Sequence, residues 1–376
     1  MATALDLTLA QQYAHQFPVR ERLIYLNHAA VAPLCRPAAE AMKGLADDCL
    51  HFGSLHWEQW MTAYERIRVA AARLIHADRS EIALMKNTSE GICAIALGMD
   101  WRPGDRIVAF QEEFPSNLYP WKILERQGVP VTWLSVHDPR ERIDEAARGA
   151  RLLAISFVNF LSGYRAQIPA IGEICHRHSC IFLVDAIQGL GAFPIDVRDS
   201  HIDALAADGH KWLLGPEGCA MLYVSQALQE QVRPAEFGWM NAASASDYGS
   251  RDMTPRNDAA RYECGTLNTI GCFGLAAALE FLLDIGTDRI APAVTALADR
   301  IAHGAAARGY EVMGRRTPET AAGIVSIRKP GVDSAETVRK LWSAGVATAA
   351  RAGWIRTSPH FYLEASAIDR MLELLP

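Results

Sequence analysis

Short apolar runs in this chain are separated by stretches whose apolar residues recur every three to four positions, the contrast between buried strands and amphipathic helices. Between Arg106 and Val224 the strand-like runs are Arg106–Phe110, Val131–Val136, Leu152–Val158, Ile181–Ala186, Ala204–Ala207 and Cys219–Val224. Their alternation with helix-like segments predicts an α/β architecture, a mostly parallel sheet sandwiched by helices. Past Val224, a polar stretch with few apolar anchors, Asn241–Ala260, leads to a helical segment at Leu275–Leu283 and reads as a crossing between domains. Strand Gly323–Arg328, helix Ala335–Ala344, strand Trp354–Thr357 and helix Ile368–Leu375 then predict a smaller α+β unit.

With 376 residues, 50% of them apolar and 21% charged, the chain can bury the core that such an architecture needs. Its formal net charge of -6, without a long basic run, offers no attraction for nucleic acid or an anionic membrane, and neither is expected as a partner. The amino terminus lacks the basic, apolar and small-residue order of a secretory signal. No apolar stretch reaches the roughly 18 residues of a spanning helix, so a cytoplasmic protein is expected. The eight cysteines show no disulfide-framework spacing. Between Cys175 and Cys180, His176 and His178 suit a last helical turn, facing the negative end of the dipole, better than a metal site, and no metal is expected.

Two strand ends carry residues of complementary chemistry. Asp185 ends Ile-Phe-Leu-Val-Asp with Gln188 just beyond it, and Lys211 follows the next run in Asp-Gly-His-Lys-Trp-Leu-Leu-Gly, at a glycine-flanked turn. In open parallel sheets ligands lie at the carboxyl ends of the strands, so one crevice is expected to receive both side chains. Pyridoxal phosphate needs such a pair: a carboxylate that keeps its ring nitrogen protonated and an amine that holds its aldehyde in a Schiff base. Taken singly, each has a plainer reading, a solvated lysine and a helix-capping aspartate. Asn87-Thr88-Ser89-Glu90-Gly91 precedes an apolar face at Ile92, Ile95, Ala96 and Met99. Thr88 or Ser89 is thereby placed at the amino end of a helix, as part of a capping box or of a phosphate site built from hydroxyls and free amides.

In order and spacing these segments, with those that follow, resemble the class V aminotransferase family over nearly the whole chain; the family includes cysteine desulfurases, kynureninase and isopenicillin N epimerase. The resemblance implies pyridoxal 5'-phosphate as cofactor and the fold-type I arrangement, a large cofactor domain over 21–260 and a small domain in which residues 1–20 fold onto 261–376. It implies that Thr88, Ser89 and His210 hold the phosphate, that Asp185 meets the ring nitrogen, that Gln188 donates to the phenolic oxygen, and that Lys211 carries the Schiff base and serves as base. Phe114 stands where cysteine desulfurases place a histidine; it can stack on the ring but cannot transfer protons. Asn159 either approaches the substrate carboxylate and phenolic oxygen or only terminates its strand. Gly265 and Thr266 match a pair that reaches the phosphate of the neighbouring subunit, which implies a homodimer with shared active sites.

Arg356, in Ile-Arg-Thr-Ser-Pro-His, matches the arginine that grips an α-carboxylate through two parallel hydrogen bonds. Asn27 and His28 lie where the family contributes to the substrate pocket, His28 being either a second acid or a structural histidine. Asp208 replaces a frequent serine, and because its charge cannot replace a phosphate-binding hydroxyl it must point elsewhere or pair with a cation and is left out of the site. The implied activity is that of an enzyme acting on an α-amino acid through an α-carbanion, by transamination, epimerisation or carbon–sulfur elimination. Desulfurases use a thiolate upstream of the carboxylate-binding arginine, and Gly345–Trp354 contains no cysteine. The isopenicillin N epimerase-like branch is therefore expected ahead of desulfurase-type sulfur transfer or a non-catalytic protein of the same fold.

Overall fold

The computed structural model describes residues 4–376. A seven-stranded sheet has the spatial order Ile82–Met85, Ala220–Val224, Ala204–Asp208, Ile181–Asp185, Leu152–Ser156, Ile107–Phe110, Val131–Leu134. Successive side chains point to opposite faces, and each face has its own core. Val108, Phe110, Leu153, Ile155, Phe182 and Val184 pack with the helices Trp57–Ile75, Ile168–Arg177 and Thr269–Ile285. Ile107, Ala109, Leu152, Ala154 and Leu183 pack on the other side with Thr88–Gly98 and Tyr119–Arg126. Burial on both faces explains why the central strands read as continuous apolar runs rather than alternating ones.

One strand departs from the parallel expectation. Ala220–Val224 runs antiparallel to both its neighbours, Ala204–Asp208 and Ile82–Met85. The link from Gly209 to Cys219 is too short for a crossover helix, which parallel pairing requires, so the chain turns back as a wide hairpin. That hairpin carries Lys211. Ile82–Met85 itself escaped the sequence reading, being a four-residue strand between two helices.

A second, four-stranded antiparallel sheet has the order Ala349–Arg351, Trp354–Thr357, Val325–Arg328, Glu311–Val312. Ile24–Tyr25 pairs in parallel with Val346–Ala347, and Phe17 stacks on Tyr362 with ring centroids 3.7 Å apart, so the amino-terminal segment is tied to the carboxyl-terminal part of the chain. The helical segment expected at Leu275–Leu283 spans Thr269–Ile285, and a further helix, Thr287–Ala306, follows at once. Among the described residues no single helix is long and apolar enough to cross a membrane.

The carboxyl ends of the Asp185 and Asp208 strands are held against each other by close backbone approach. Gly191 has φ +96°, and a Cβ there would lie 2.4 Å from the carbonyl oxygen of Trp212. Only glycine permits both that conformation and that contact. The turn after Asp185 thus rests on the segment that carries Lys211.

Candidate active site

A cavity of about 410 Å³ opens where these strand ends meet the hairpin Ala349–Thr357. One end of it gathers hydroxyl and imidazole groups beside a helix amino terminus. The helix Thr88–Gly98 is capped by Asn87, whose Oδ1 accepts from the Glu90 amide at 2.9 Å, so Asn87 rather than Thr88 or Ser89 takes the capping role. Thr88 is freed to face the cavity, where its Oγ1 is buried without any hydrogen-bond partner. Ser89 Oγ lies 2.7 Å from Ser116 Oγ, and both residues line the same wall. His210 Nδ1 stands 2.9 Å from Asp208 Oδ1, yet neither atom makes a well-directed hydrogen bond. Unpaired buried polar atoms are costly; Thr88 Oγ1 and His210 can donate beside the positive pole of a helix and fit a phosphate, whereas Asp208 Oδ1 is an acceptor that only His210 faces.

Deeper in the crevice sit the two residues that the strand ends predicted. Asp185 is fully buried and accepts from the Ile187 amide at 3.1 Å; burial raises its pKa to about 6, although the nearby Lys211 charge acts in the other direction. Lys211 is 9% exposed, and burial lowers its pKa to about 8, with Asp185 opposing and Arg356 reinforcing that shift. Its Nζ lies 5.7 Å from the centre of the Phe114 ring, which packs edge-on to Phe160. Gln188 donates from Nε2 to the Ala29 carbonyl at 3.0 Å and accepts at Oε1 from the Trp212 indole at 3.1 Å. Because an indole N–H only donates, that contact fixes the amide orientation and leaves one N–H of Gln188 for the cavity it lines. Behind Asp185, buried Glu113 accepts from the amide and hydroxyl of Ser156, the residue paired with Asp185 across the sheet. Burial first, and then the Asp185 charge, push the Glu113 pKa up to about 7.

Arg356 closes the opposite side. It is 3% exposed, its Nη1 donates to the Phe160 carbonyl at 2.7 Å, and its Nε has no partner. Burial, then the neighbouring Arg351, lowers its pKa to about 10.

Other expected residues are placed differently. His28 is completely buried, with Nδ1 2.8 Å from the Ser358 carbonyl and Nε2 2.7 Å from the Tyr362 hydroxyl. Burial holds its pKa at about 4, so it is a neutral core histidine rather than a second acid at the cavity. Asn27 pairs with Ser358 through the backbone, with its Oδ1 buried and unpaired, and does not line the cavity. Asn159 gives its Nδ2 to the Glu112 carbonyl, and its Oδ1 accepts from the Leu161 and Ser162 amides and the Ser162 hydroxyl. The Oδ1 bonds fasten its own loop and the Nδ2 bond ties that loop to Glu112, and Asn159 stays out of the cavity wall. Gly265 and Thr266 also lie away from this protomer's cavity, Thr266 in an exposed position.

Among the residues outside the expected set that do line it are Asp208, Ser116 and Arg351. The charge of Asp208 opposes a phosphate, but His210 stands against it. Ser116 gave a signal, in that it lies two residues after Phe114 in the same segment. Arg351 gave none, because only the hairpin brings it beside Arg356.

A profile of class V aminotransferases matches residues 24–365. The chain belongs to the class V aminotransferase family. Among relatives of this class V chain, a probable cysteine desulfurase of Pyrococcus abyssi is 28% identical, covering 86% of this chain and 83% of its own length. An uncharacterised aminotransferase of Bacillus subtilis is 29% identical over 94% of both chains. The apo structure of a cysteine desulfurase from Thermococcus onnurineus superimposes with a TM-score of 0.88 at 25% identity, covering 96% of each chain. A structure described as a cystine C-S lyase with its product gives 0.87 at 22% identity over 95% of this chain and 98% of its own, a likeness of fold. The fold-type I architecture is therefore established. The Pyrococcus abyssi and Thermococcus onnurineus proteins are named cysteine desulfurases and none of these four is named an epimerase, so they favour the desulfurase alternative over the isopenicillin N epimerase-like branch expected from the sequence.

Proposed function

We propose that this class V protein binds pyridoxal phosphate and acts on an α-amino acid by removing its α-proton, with carbon–sulfur elimination as the reaction the geometry supports best. The observation that carries this reading is Lys211: a buried amine with a pKa of about 8, beside Asp185, in a cavity whose Arg356 has no acidic partner among the described residues. When bound, the cofactor supplies an aldehyde that condenses with amines and a ring that accepts electron density from the substrate's α-carbon. Thr88 Oγ1, the Ser89 hydroxyl, His210 and the helix amides would hold its phosphate. Asp185 would hold a proton on the ring nitrogen, and Phe114 would cover the ring. Arg356 would grip the substrate carboxylate and turn the α-proton toward Lys211 Nζ, which takes it as base.

Epimerisation requires a proton donor on the opposite face. His28, the candidate for that task, has both nitrogens engaged in the core. Desulfurase-type sulfur transfer is the second reading, favoured by the names of the relatives. Against it, the cavity wall includes no cysteine among the described residues. In both readings Gly265 and Thr266 would face the cavity of a second copy, making the enzyme a homodimer with shared sites.

Holoenzyme incubated with L-cysteine separates the two. Elimination, with water entering, gives pyruvate, ammonia and sulfide and leaves no sulfur on the protein. Alanine as the main product, with a protein-bound persulfide, would establish sulfur transfer instead.

A further inference from the structure

The cavity contains a second guanidinium for which the proposed reaction has no use. In the hairpin Ala349–Thr357, Ala349 pairs with Arg356 and Arg351 pairs with Trp354. Paired residues share a face and the side-chain period is two, so Arg351 and Arg356 project from the same face as diagonal neighbours, with Cα atoms roughly 7–8 Å apart. Both line the cavity. Arg356 is anchored by the Phe160 carbonyl, while Arg351 is exposed at the mouth and bonded only to the Ala350 carbonyl at 2.9 Å. Among the described residues, neither has a carboxylate within ion-pair distance. Among the described residues lining the cavity wall Asp208 is the one acid, and it stands against His210 at the phosphate end.

Two like charges side by side repel and are tolerated where an anion joins them. A phosphate at the Thr88 end and one α-carboxylate on Arg356 would leave Arg351 unmatched. The geometry points to a substrate with a second negative group at the end of its side chain, a carboxylate or a sulfur oxyacid, received by Arg351. This rests on the reading of the cavity as a pyridoxal phosphate site for amino acids, and it names the class of amino acid.

The test is a titration of holoenzyme, following the visible band of the Lys211-bound cofactor, with matched pairs of amino acids: L-glutamate against L-glutamine, and L-cysteine sulfinate against L-cysteine. The acidic member of at least one pair binds tenfold or more tightly than its neutral partner, in line with roughly 10–100-fold for a hydrogen bond to a charged group. Whichever pair shows the effect tells carboxylate from sulfur oxyacid. R351L and R351Q, at an exposed position, abolish that ratio, whereas R356L weakens acidic and neutral members alike. Equal affinity within both pairs overturns the proposal. So does a uniform loss in R351L, which would mean that both arginines serve the α-carboxylate. A protein that takes up no pyridoxal phosphate would bring down the underlying reading, a result distinct from either.

Discussion

Burial of Lys211 makes a quantitative demand on the apoprotein. An ordinary lysine with pKa 10.5 keeps only a few parts in ten thousand of its amine unprotonated at pH 7, about 0.03%. At a pKa of about 8 the free fraction is about 9%, so Lys211 should be roughly 300-fold richer in nucleophilic amine than a surface lysine. Desolvation in the crevice is the largest cause, and Arg356 and Arg351 act with it, while Asp185 and Asp208 oppose it. The sign is that of a lysine favoured in its neutral form: reactivity toward an aldehyde climbs as pH rises and levels off above about 8. The assay mixes apoprotein with limiting pyridoxal phosphate at a series of pH values, quenches with borohydride, and counts label by peptide mass. The expected result is label on Lys211 with a midpoint near pH 8. A midpoint near 10, or first label on Lys86 or Lys122, would show that Lys211 is not the activated amine. Lys211→Ala, retaining the fold by its circular dichroism, should lose the label entirely.

Asp185→Asn should lower turnover far more than cofactor occupancy, since an amide fills the space without holding the ring nitrogen protonated; unchanged rates at full occupancy would refute the role. Thr88→Val should weaken cofactor retention about tenfold, read by equilibrium dialysis, because the buried hydroxyl that awaits an anion is replaced by a methyl of the same shape. Glu113 has a folded pKa of about 7 against an ordinary 4.5, so its protonated form stabilises the fold below pH 4.5 and that contribution fades as pH rises through 7. At about 1.4 kcal/mol per unit the swing is roughly 3 kcal/mol, and Glu113→Gln, which can keep both Ser156 contacts, should raise the denaturation midpoint at pH 8.5 but not at pH 4.5. An equal shift at both pH values would show that Glu113 is not protonated in the folded protein.

That Asp185, Lys211, Thr88 and Ser89 would meet at one crevice was legible in the sequence because the signals are local. Asp185 and Lys211 stand at the ends of apolar runs that only a buried sheet explains, and Thr88 and Ser89 stand immediately before a helical face. Arg356 was legible through its resemblance to a known motif, and so was Phe114. Tertiary structure decided what depends on distant partners. His28 could serve as an acid or a structural histidine until Ser358 and Tyr362 take both its nitrogens, and Asn159 could meet substrate or end its strand until its own loop engages its Oδ1. Asp208 joins the cavity wall only because the short return from Gly209 to Cys219 forces an antiparallel hairpin and brings His210 against it. Arg351 becomes the diagonal neighbour of Arg356 only by strand pairing. Composition and periodicity determine which face of an element is buried; which polar atom is left without a partner is decided by every segment that packs there, and those unpaired atoms define this cavity.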